Sequence, residues 1–390
     1  MFGDVKLIPD KSSYKIAPWN YDIGLCFVNL ANHDSTPFPL CGRSLFQSTA
    51  QRLRKEHGLE LRIGVEIEFM VMKKVDSADG GVPKYMPVEI GSWAAGRTTL
   101  DFDEDLAAIA RQLKQAGIVF EQMHKEAMPG QFEITLRFDE ALKMVDNYLT
   151  TRMIIAKHFQ KKDLVASFLP MHPGIPMGNG NHVHFSLWKV EGVREPVNIT
   201  GDTTQENKMS VVFQQFLAGI IHHFNALTQF MAPNHIGLQR LQPHRSSGGY
   251  LCWGMDNKEA PIRVISPEVG QGVSHVEIKS FDHMANLPLA LAAMVACGLE
   301  GIEKKRNLPA PCNFLPYLLD EATRSAAGIT LLPQSFAEKK QALMGEGGQA
   351  IRDLMTSAAL TNYLLVNEKD DQIPSAMTDE QQVFCLINKF

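Results

Sequence analysis

Four short segments of the 390-residue chain alternate polar or ionisable side chains with apolar ones. Glu66 and Glu68 alternate with apolar residues in the first segment, and His182 and His184 do so in the third. Because successive side chains of a β-strand point to opposite faces, each pair lies on one face of its strand. Two neighbouring glutamates repel each other unless a cation or a proton lies between them. The pattern therefore favours a metal-binding face over an ordinary solvent-facing one.

The polar faces of the other two segments complete a possible metal-binding set. The second segment carries Glu133, and the fourth carries Glu277 and Lys279. If the four strands share one sheet, six residues line a common cavity: Glu66, Glu68, Glu126, Glu133, His182 and Glu277. Five carboxylates and one imidazole suit Mg²⁺ or Mn²⁺ and are enough for two ions. Basic residues near them would neutralise a transferred phosphoryl group: Arg240, Lys258, Arg263 and Lys279.

The elements that must position these residues are short strands and amphipathic helices. Apolar residues recur at helical spacing in the ranges 44–57, 103–116, 139–160, 207–230 and 284–305. The strands are interleaved with these helices without regular βαβ spacing. We therefore expect an α+β fold, with a curved antiparallel sheet that has a polar, metal-lined face and is surrounded by helices. Neither a P-loop nor a complete Rossmann glycine motif occurs in the sequence.

Composition narrows the classes of partner. Hydrophobic residues make up 45% of the chain, charged residues 21%, and the net charge is −5. A nucleic-acid-binding surface usually needs a basic excess, so we expect no nucleic-acid partner. The six cysteines form no CxxC pair, and the first residues lack an apolar signal sequence. The longest apolar run, 287–299, is short for a membrane span, so we expect a cytoplasmic protein without a membrane partner.

At these polar segments the sequence resembles the catalytic domain of the glutamine synthetase family. The matching blocks follow one another in unbroken order over 64–69, 126–133, 178–184, 234–243, 253–263 and 276–286. Within the family the chain looks closest to the divergent domains fused to nodulin-type amidohydrolases, mainly because of the run Glu277–Asp282. The resemblance implies a catalytic domain over 39–390, preceded in 1–38 by a remnant of the family's N-terminal β-grasp domain.

The resemblance also implies a division of labour among the site residues. Glu68, Glu126 and Glu133 match the ligands of a first metal, and Glu66, His182 and Glu277 those of a second. Arg240, Glu68, Lys279 and the backbone of Gly178 match contacts to the amino-acid substrate. Contacts to ATP are implied for Glu121, Phe138, His184, Ser186, Lys258 and Arg263. Arg240, Arg263, Lys258 and Lys279 would act in catalysis.

The sequence departs from the family at positions that concern the nucleophile and the phosphate. The family's flap glutamate, which helps to deprotonate ammonium, falls at Ser246, and the asparagine beside Gly178 is Met177. Lys258 and Lys279 replace two arginines, which keeps the charge but loses the bidentate fork.

We expect an ATP-dependent carbon–nitrogen ligase that activates the side-chain carboxylate of glutamate as an acyl phosphate for attack by ammonia. One alternative is a ligase that uses a larger amine and makes a γ-glutamylamide, and another is a catalytically silent binding or structural protein. A cupin-like metal oxygenase rests on His182 and His184 alone and leaves Glu66 and Glu68 unexplained. The expected cofactors are two or more Mg²⁺ or Mn²⁺ ions with ATP as co-substrate. The expected partners are glutamate, ATP, ammonia or an amine, and further copies of the chain in a homo-oligomer.

Overall fold

A computed structural model describes residues 4–77, 80–372 and 377–387. The strands, in chain order, are β1 (Lys6–Pro9), β2 (Lys15–Ile16), β3 (Gly24–Leu25), β4 (Val28–Ala31), β5 (Leu59–Val75), β6 (Lys84–Pro87), β7 (Phe120–Lys125), β8 (Gln131–Glu140), β9 (Leu164–Ser167), β10 (Asn181–Lys189), β11 (Val197–Asn198), β12 (Tyr250–Leu251), β13 (Trp253–Met255), β14 (Ile262–Val264), β15 (Val276–Ile278) and β16 (Thr330–Leu331).

The α-helices, in chain order, are α1 (Gly42–His57), α2 (Gly96–Asp101), α3 (Asp103–Gln115), α4 (Ala141–Gln160), α5 (Val211–His222), α6 (Phe224–Met231), α7 (His235–Arg240), α8 (Leu287–Glu303), α9 (Glu321–Ala326), α10 (Phe336–Met344), α11 (Gln349–Leu354), α12 (Ser357–Gln372) and α13 (Asp379–Ile387). Short 3-10 helices span Lys11–Ser13, Pro316–Leu318 and Glu346–Gly348. Within the described ranges, no helix is both long and apolar enough to cross a membrane.

One large sheet contains all four of the segments with alternating polar faces. Its main path runs β13-β14-β15-β10-β5-β8-β7, with β11 paired to β10 and β6 and β9 paired to β5. Every pairing in this sheet is antiparallel except that of β13 with β14. The α+β class and the shared antiparallel sheet are therefore confirmed, and the four segments occupy the adjacent strands β15, β10, β5 and β8.

The apolar face of the sheet forms the hydrophobic core. Val65, Ile67 and Phe69 on β5 are completely buried, as their alternation with glutamates predicts. Helices α1 and α4 pack against β5, and α8 lies against α1 and α5. Burial of this face fixes the strand register, because a one-residue slip would place the apolar side chains on the polar side. The core thus holds the ionisable side chains on the opposite face.

Two of the predicted helices differ from the structure by more than two residues at an end. The helix expected over 207–230 is divided into α5 and α6, because His223 between them leaves helical geometry. The helix expected from residue 284 begins at Leu287, since the Asn286 side chain accepts a hydrogen bond from the backbone N–H of Leu289 and caps it.

The N-terminal residues form two small two-stranded sheets, β1 with β4 and β2 with β3. They are attached to the main body by polar contacts: Arg43 bridges Asp10 and Asp146, and Lys15 Nζ donates to Asn147 Oδ1 at 2.7 Å. The expected boundary after residue 38 remains a prediction.

Candidate active site

Strand register brings the ionisable residues of three strands into contact. His182 on β10 lies opposite Glu66 on β5, and His184 lies opposite Glu277 on β15. His182 Nδ1 is 2.8 Å from Glu66 Oε2 and 3.2 Å from Glu277 Oε1, and His184 Nε2 is 3.0 Å from Glu66 Oε1. Ligand atoms of Glu66, His184 and Glu277 all lie within 4.8 Å of one another. We call these residues, with His182, the inner cluster.

Proton affinities in the inner cluster reflect this close packing. Burial lowers the pKa of His182, but hydrogen bonds to Glu277 and Glu66 outweigh burial and raise it to about 9. Burial raises the pKa of Glu66, yet the two histidines hold it well below its usual range. For Glu277, burial is outweighed chiefly by the Lys279 charge, which lowers its pKa. The carboxylates are thus ionised and need positive charge around them.

A second group, the outer cluster, lies at the junction of β7 and β8 and consists of Glu68, His124, Glu126 and Glu133. Glu68 on β5 lies opposite Glu133 on β8. His124 Nε2 is 3.3 Å from Glu133 Oε1, and His124 Nδ1 is 3.9 Å from Glu126 Oε1. His182 Nε2, at 3.7 Å from Glu68 Oε1, connects the two clusters. All six predicted metal ligands are therefore brought together on one side of the sheet.

The outer cluster is rich in negative charge. Burial raises the pKa of Glu68, and the neighbouring Glu133 and Glu126 raise it further, although His182 opposes them. The hydrogen bond to Glu133 raises the pKa of His124 to about 9. Three carboxylates with one adjoining imidazole form an oxygen-rich donor set of the kind that binds Mg²⁺ or Mn²⁺. Such a donor set is better explained by a bound divalent cation than by carboxylates that have no ligand.

A buried lysine fixes the turn that carries Glu126. The Lys125 side chain is completely buried at the end of β7. Its Nζ donates to the backbone carbonyls of Glu126 at 2.7 Å and Met128 at 2.5 Å, and lies 3.3 Å from Glu89 Oε1. Gly130, in the same turn, has a φ of +66°, which suits glycine. The carboxylate of Glu126 is thus presented by a rigid turn.

Gln131 joins the outer cluster to the loop that contains Gly178. Its Nε2 lies 3.1 Å from Glu68 Oε2, 2.9 Å from Gly178 O and 3.1 Å from Asn179 Oδ1. Position 178 accepts only glycine, because a Cβ atom there would overlap the carbonyl of Pro170. The loop consequently approaches the carboxylates with its backbone.

Two of the four predicted basic residues contact Glu277 of the inner cluster, and a third, Arg240, binds the backbone just after it. Arg263 Nε is 2.6 Å from Glu277 Oε2, and Lys279 Nζ is 3.2 Å from Glu277 Oε1. The buried Arg240 donates through Nη2 to the carbonyls of Lys279 at 2.9 Å and Phe281 at 2.7 Å. Lys258 is exposed in the turn between β13 and β14, and it makes no hydrogen bond or ion pair with any residue that the structure describes.

A cavity of about 430 Å³ opens beside the inner cluster. Its lining includes Glu66. It also includes the four non-basic residues that were expected to contact ATP, namely Glu121, Phe138, His184 and Ser186. The rings of Phe138 and Trp188 are stacked with their centroids 5.9 Å apart, and the guanidinium of Arg62 lies 4.1 Å from the Trp188 ring. Aromatic and guanidinium planes are surfaces on which a nucleobase can stack.

Sequence reasoning missed several residues of this site. His124 lies two residues before Glu126, and Trp188 lies two residues after Ser186, so the same alternation that revealed the glutamates also marks them. Gln131 is on the polar face of its segment, but its type gave no reason to single it out. The position of Arg62 over Trp188 depends on pairing between β5 and β10, which sequence period does not specify.

Comparison with known proteins agrees with this geometry. The family model described as the glutamine synthetase catalytic domain matches residues 39–382. A γ-glutamylpolyamine synthetase of Streptomyces coelicolor is 28% identical over 377 residues, covering 95% of this chain and 79% of the relative. A glutamine synthetase of Pyrococcus horikoshii is 32% identical over 338 residues, covering 86% of this chain and 72% of the relative. A crystal structure described as a novel glutamine synthase homolog superposes with a TM-score of 0.80 at 25% identity, covering 100% of this chain and 85% of the other.

These matches define the class of protein as the ATP- and divalent-metal-dependent ligases that act on small substrates. The chain belongs to the glutamine synthetase family and carries its catalytic domain. The expected family and the expected enzyme class are therefore confirmed.

Proposed function

We propose that this protein transfers the γ-phosphoryl group of ATP to the side-chain carboxylate of glutamate, and that ammonia or an amine then attacks the acyl phosphate. The observation that supports this most directly is the double position of Glu66 and His184. Both belong to the inner cluster, and both line the aromatic cavity. A nucleotide whose base stacks near Phe138 and Trp188 would thus extend its phosphates toward the carboxylates.

The two clusters fit two divalent cations. In the proposed assignment Glu68, Glu126 and Glu133 hold one ion, and Glu66, His182 and Glu277 hold the other. His124 lies close to Glu126 and Glu133 and would help to orient these two carboxylates toward the first ion. When bound, such ions neutralise the charge that develops on a transferred phosphoryl group.

The remaining residues would bind and orient the two substrates. Arg240 has its Nη2 occupied by backbone carbonyls, which fixes the guanidinium plane for a carboxylate of glutamate. The carbonyl of Gly178 would accept a hydrogen bond from the amino group. Arg263 and Lys279 place two positive charges beside the inner cluster, where the phosphates would lie. Lys258 is exposed in this structure, and it would contact a phosphate group only once the nucleotide is bound.

A larger amine is a second candidate for the nucleophile. It is favoured by Ser246, which stands where the family has a flap glutamate that helps to deprotonate ammonium. The Streptomyces coelicolor relative is described as a γ-glutamylpolyamine synthetase, which shows that a chain of similar sequence uses such amines. The proposal also retains the expectations of a cytoplasmic location and a homo-oligomer, and analytical ultracentrifugation would test the oligomeric state.

The proposed carboxylate activation is tested by ADP release in the presence of Mg²⁺, glutamate and hydroxylamine. Hydroxylamine is uncharged at neutral pH, so it attacks an acyl phosphate without first losing a proton. We expect glutamate-dependent ADP release and hydroxamate formation, and a loss of about 100-fold or more in Glu126→Gln, because a ligand of the outer cluster is removed.

The matched control for this experiment is Glu104→Gln, since Glu104 is exposed on α3 and lies outside the site. This variant should retain the native rate. ATP binding without any glutamate-dependent ADP release in the native protein would contradict the proposed function and favour a silent binding protein.

A further inference from the structure

One buried carboxylate near the candidate site has no cationic partner among the residues that the structure describes. Glu259, in the turn between β13 and β14, is only 8% exposed. Its Oε1 accepts hydrogen bonds from the backbone N–H of Ser246 at 3.1 Å and from the Ser246 hydroxyl at 3.4 Å. It forms no ion pair with any residue in the described ranges. Buried glutamates are usually paired, so this one calls for a chemical explanation.

The loop that contacts Glu259 also borders the residues proposed for glutamate. We call residues 243–249 the flap loop. Its Ser247 hydroxyl donates to the carbonyl of Arg240 at 2.5 Å, and its Arg245 donates to the carbonyl of Pro176 at 2.6 Å, two residues before Gly178. The flap loop therefore spans the interval between Arg240 and the Gly178 loop, and its Ser246 contacts Glu259.

Backbone contacts bring the Glu259 turn to the same place. The backbone N–H of Lys279 donates to the carbonyl of Pro261 at 2.9 Å, and the carbonyl of Lys279 accepts from Arg240. The flap loop packs tightly on this turn. The two approach so closely at Gly248 that a Cβ atom there would overlap Pro261. His244 and Ser246 have φ values of 67° and 52°, which non-glycine residues adopt only where surrounding contacts support them.

We propose that Glu259 binds the ammonium group of the nucleophile and accepts its proton. This inference rests on the proposed function, since it assigns the nucleophile's position in the same site. An amine is protonated at neutral pH and has no free lone pair until a base removes a proton. The carboxylates of the two clusters are engaged by histidines, Arg263 or Lys279 or by each other, whereas among the described residues the Glu259 carboxylate accepts hydrogen bonds from Ser246 alone.

The R–NH₃⁺ group transfers one proton to the Glu259 carboxylate, and its nitrogen lone pair forms a bond to the carbonyl carbon of the acyl phosphate. The bond between that carbon and the phosphoryl oxygen breaks, and phosphate leaves with the electron pair. The second proton lost from nitrogen goes to the departing phosphate. The products are the amide, inorganic phosphate and protonated Glu259.

The test compares nucleophiles in the variant Glu259→Gln, which keeps the size of the side chain but removes the base. With ammonium, methylammonium or 1,4-diaminobutane, we expect amide formation to fall by about 100-fold, a typical contribution of a general base. With hydroxylamine, which carries no proton to be removed before attack, we expect hydroxamate formation within about twofold of native. Glu268→Gln, an exposed glutamate after β14, is the matched control and should change neither reaction.

Each other outcome is decisive. An unchanged amine reaction in a folded Glu259→Gln would overturn the inference, as would equal losses with amine and hydroxylamine. If this variant does not fold, Glu259→Asp replaces it, because retraction of the carboxylate should lower the amine reaction and spare hydroxamate formation. Failure of the native protein to form hydroxamate would instead refute carboxylate activation itself, and the assignment of Glu259 with it.

Discussion

The sheet and the flap loop that border the candidate site hold their functional groups in different ways. On the sheet, Glu66, Glu133 and His182 are fixed by strand register and by a buried apolar face beneath them. On the flap loop, position depends on a few hydrogen bonds, such as that from Ser246 to Glu259, and on residues with positive φ. The difference suggests a division in which the sheet fixes phosphoryl transfer and the loop determines the nucleophile.

This division explains how the nucleophile could change without loss of activation. A carboxylate on the Glu259 turn can replace one on the flap loop, because the two segments are in direct contact through Ser246. On the sheet, by contrast, the ionisable groups face each other across strands, so a change at one position alters the charge on its neighbours. The sheet should therefore tolerate substitution less well than the loop.

A substitution on the sheet, Gln131→Leu, should have a large effect on metal binding. It removes the amide that donates to Glu68, and such supporting contacts typically contribute 10–100-fold to metal affinity. We expect the Mg²⁺ concentration for half-maximal activity to rise by about 30-fold. Titration of glutamate-dependent ADP release with Mg²⁺ measures it.

The control for this variant is Gln115→Leu at the end of helix α3, where the side chain is exposed and lies outside the site. It should leave the Mg²⁺ dependence unchanged. An unaltered Mg²⁺ dependence in Gln131→Leu would show that Glu68 does not need this support, and the contrast between sheet and loop would lose its basis.

A smaller effect is the pH dependence of the free energy of unfolding, to which a histidine in the loop and one on the sheet contribute with opposite sign. His172, in the loop before Gly178, is buried, which lowers its pKa to about 4. Between about pH 6.5 and 4 the unfolded chain therefore binds a proton that the folded protein excludes, and stability falls on acidification. His182 on the sheet has its pKa raised to about 9, so without a bound metal ion its contribution is complete below about pH 6.5 and is lost as pH rises through 9.

We expect His172→Gln to reduce the loss of stability between pH 7 and 4 by about 3 kcal/mol. Urea unfolding at several pH values measures this change. His33→Gln, at an exposed position, is the control and should follow the native pH dependence. An identical pH dependence in native protein and His172→Gln would show that folding does not lower the pKa of this histidine.

Sequence alone predicted the sheet-borne chemistry well, because alternation of side chains is a local property of a strand. Glu66, Glu133, His182 and Glu277 could each be placed on a polar face from their own segments. Which strands are neighbours, and in which register, depends on tertiary packing. The resemblance to a family, not the alternation itself, supplied the grouping of ligands.

The loops were less predictable, for physical reasons that particular residues show. The contact between Glu259 and Ser246 depends on two turns whose geometry no periodic pattern encodes. Lys258 has a charge suited to phosphate, yet its turn leaves the side chain in solvent. The break of the predicted helix at His223 likewise depends on tertiary contact, since its Nδ1 lies 2.7 Å from the carbonyl of Gly347.

The central claim, that ATP activates the side-chain carboxylate of glutamate, is tested most directly by following oxygen. Glutamate labelled with ¹⁸O in its side-chain carboxylate is incubated with the native protein, Mg²⁺, ATP and hydroxylamine, and the released phosphate is analysed by mass spectrometry. Formation of an acyl phosphate predicts that each phosphate carries one ¹⁸O atom from glutamate, because the bond between the carbonyl carbon and the bridging oxygen breaks. Phosphate released without label would mean that water attacks ATP, and would contradict the account.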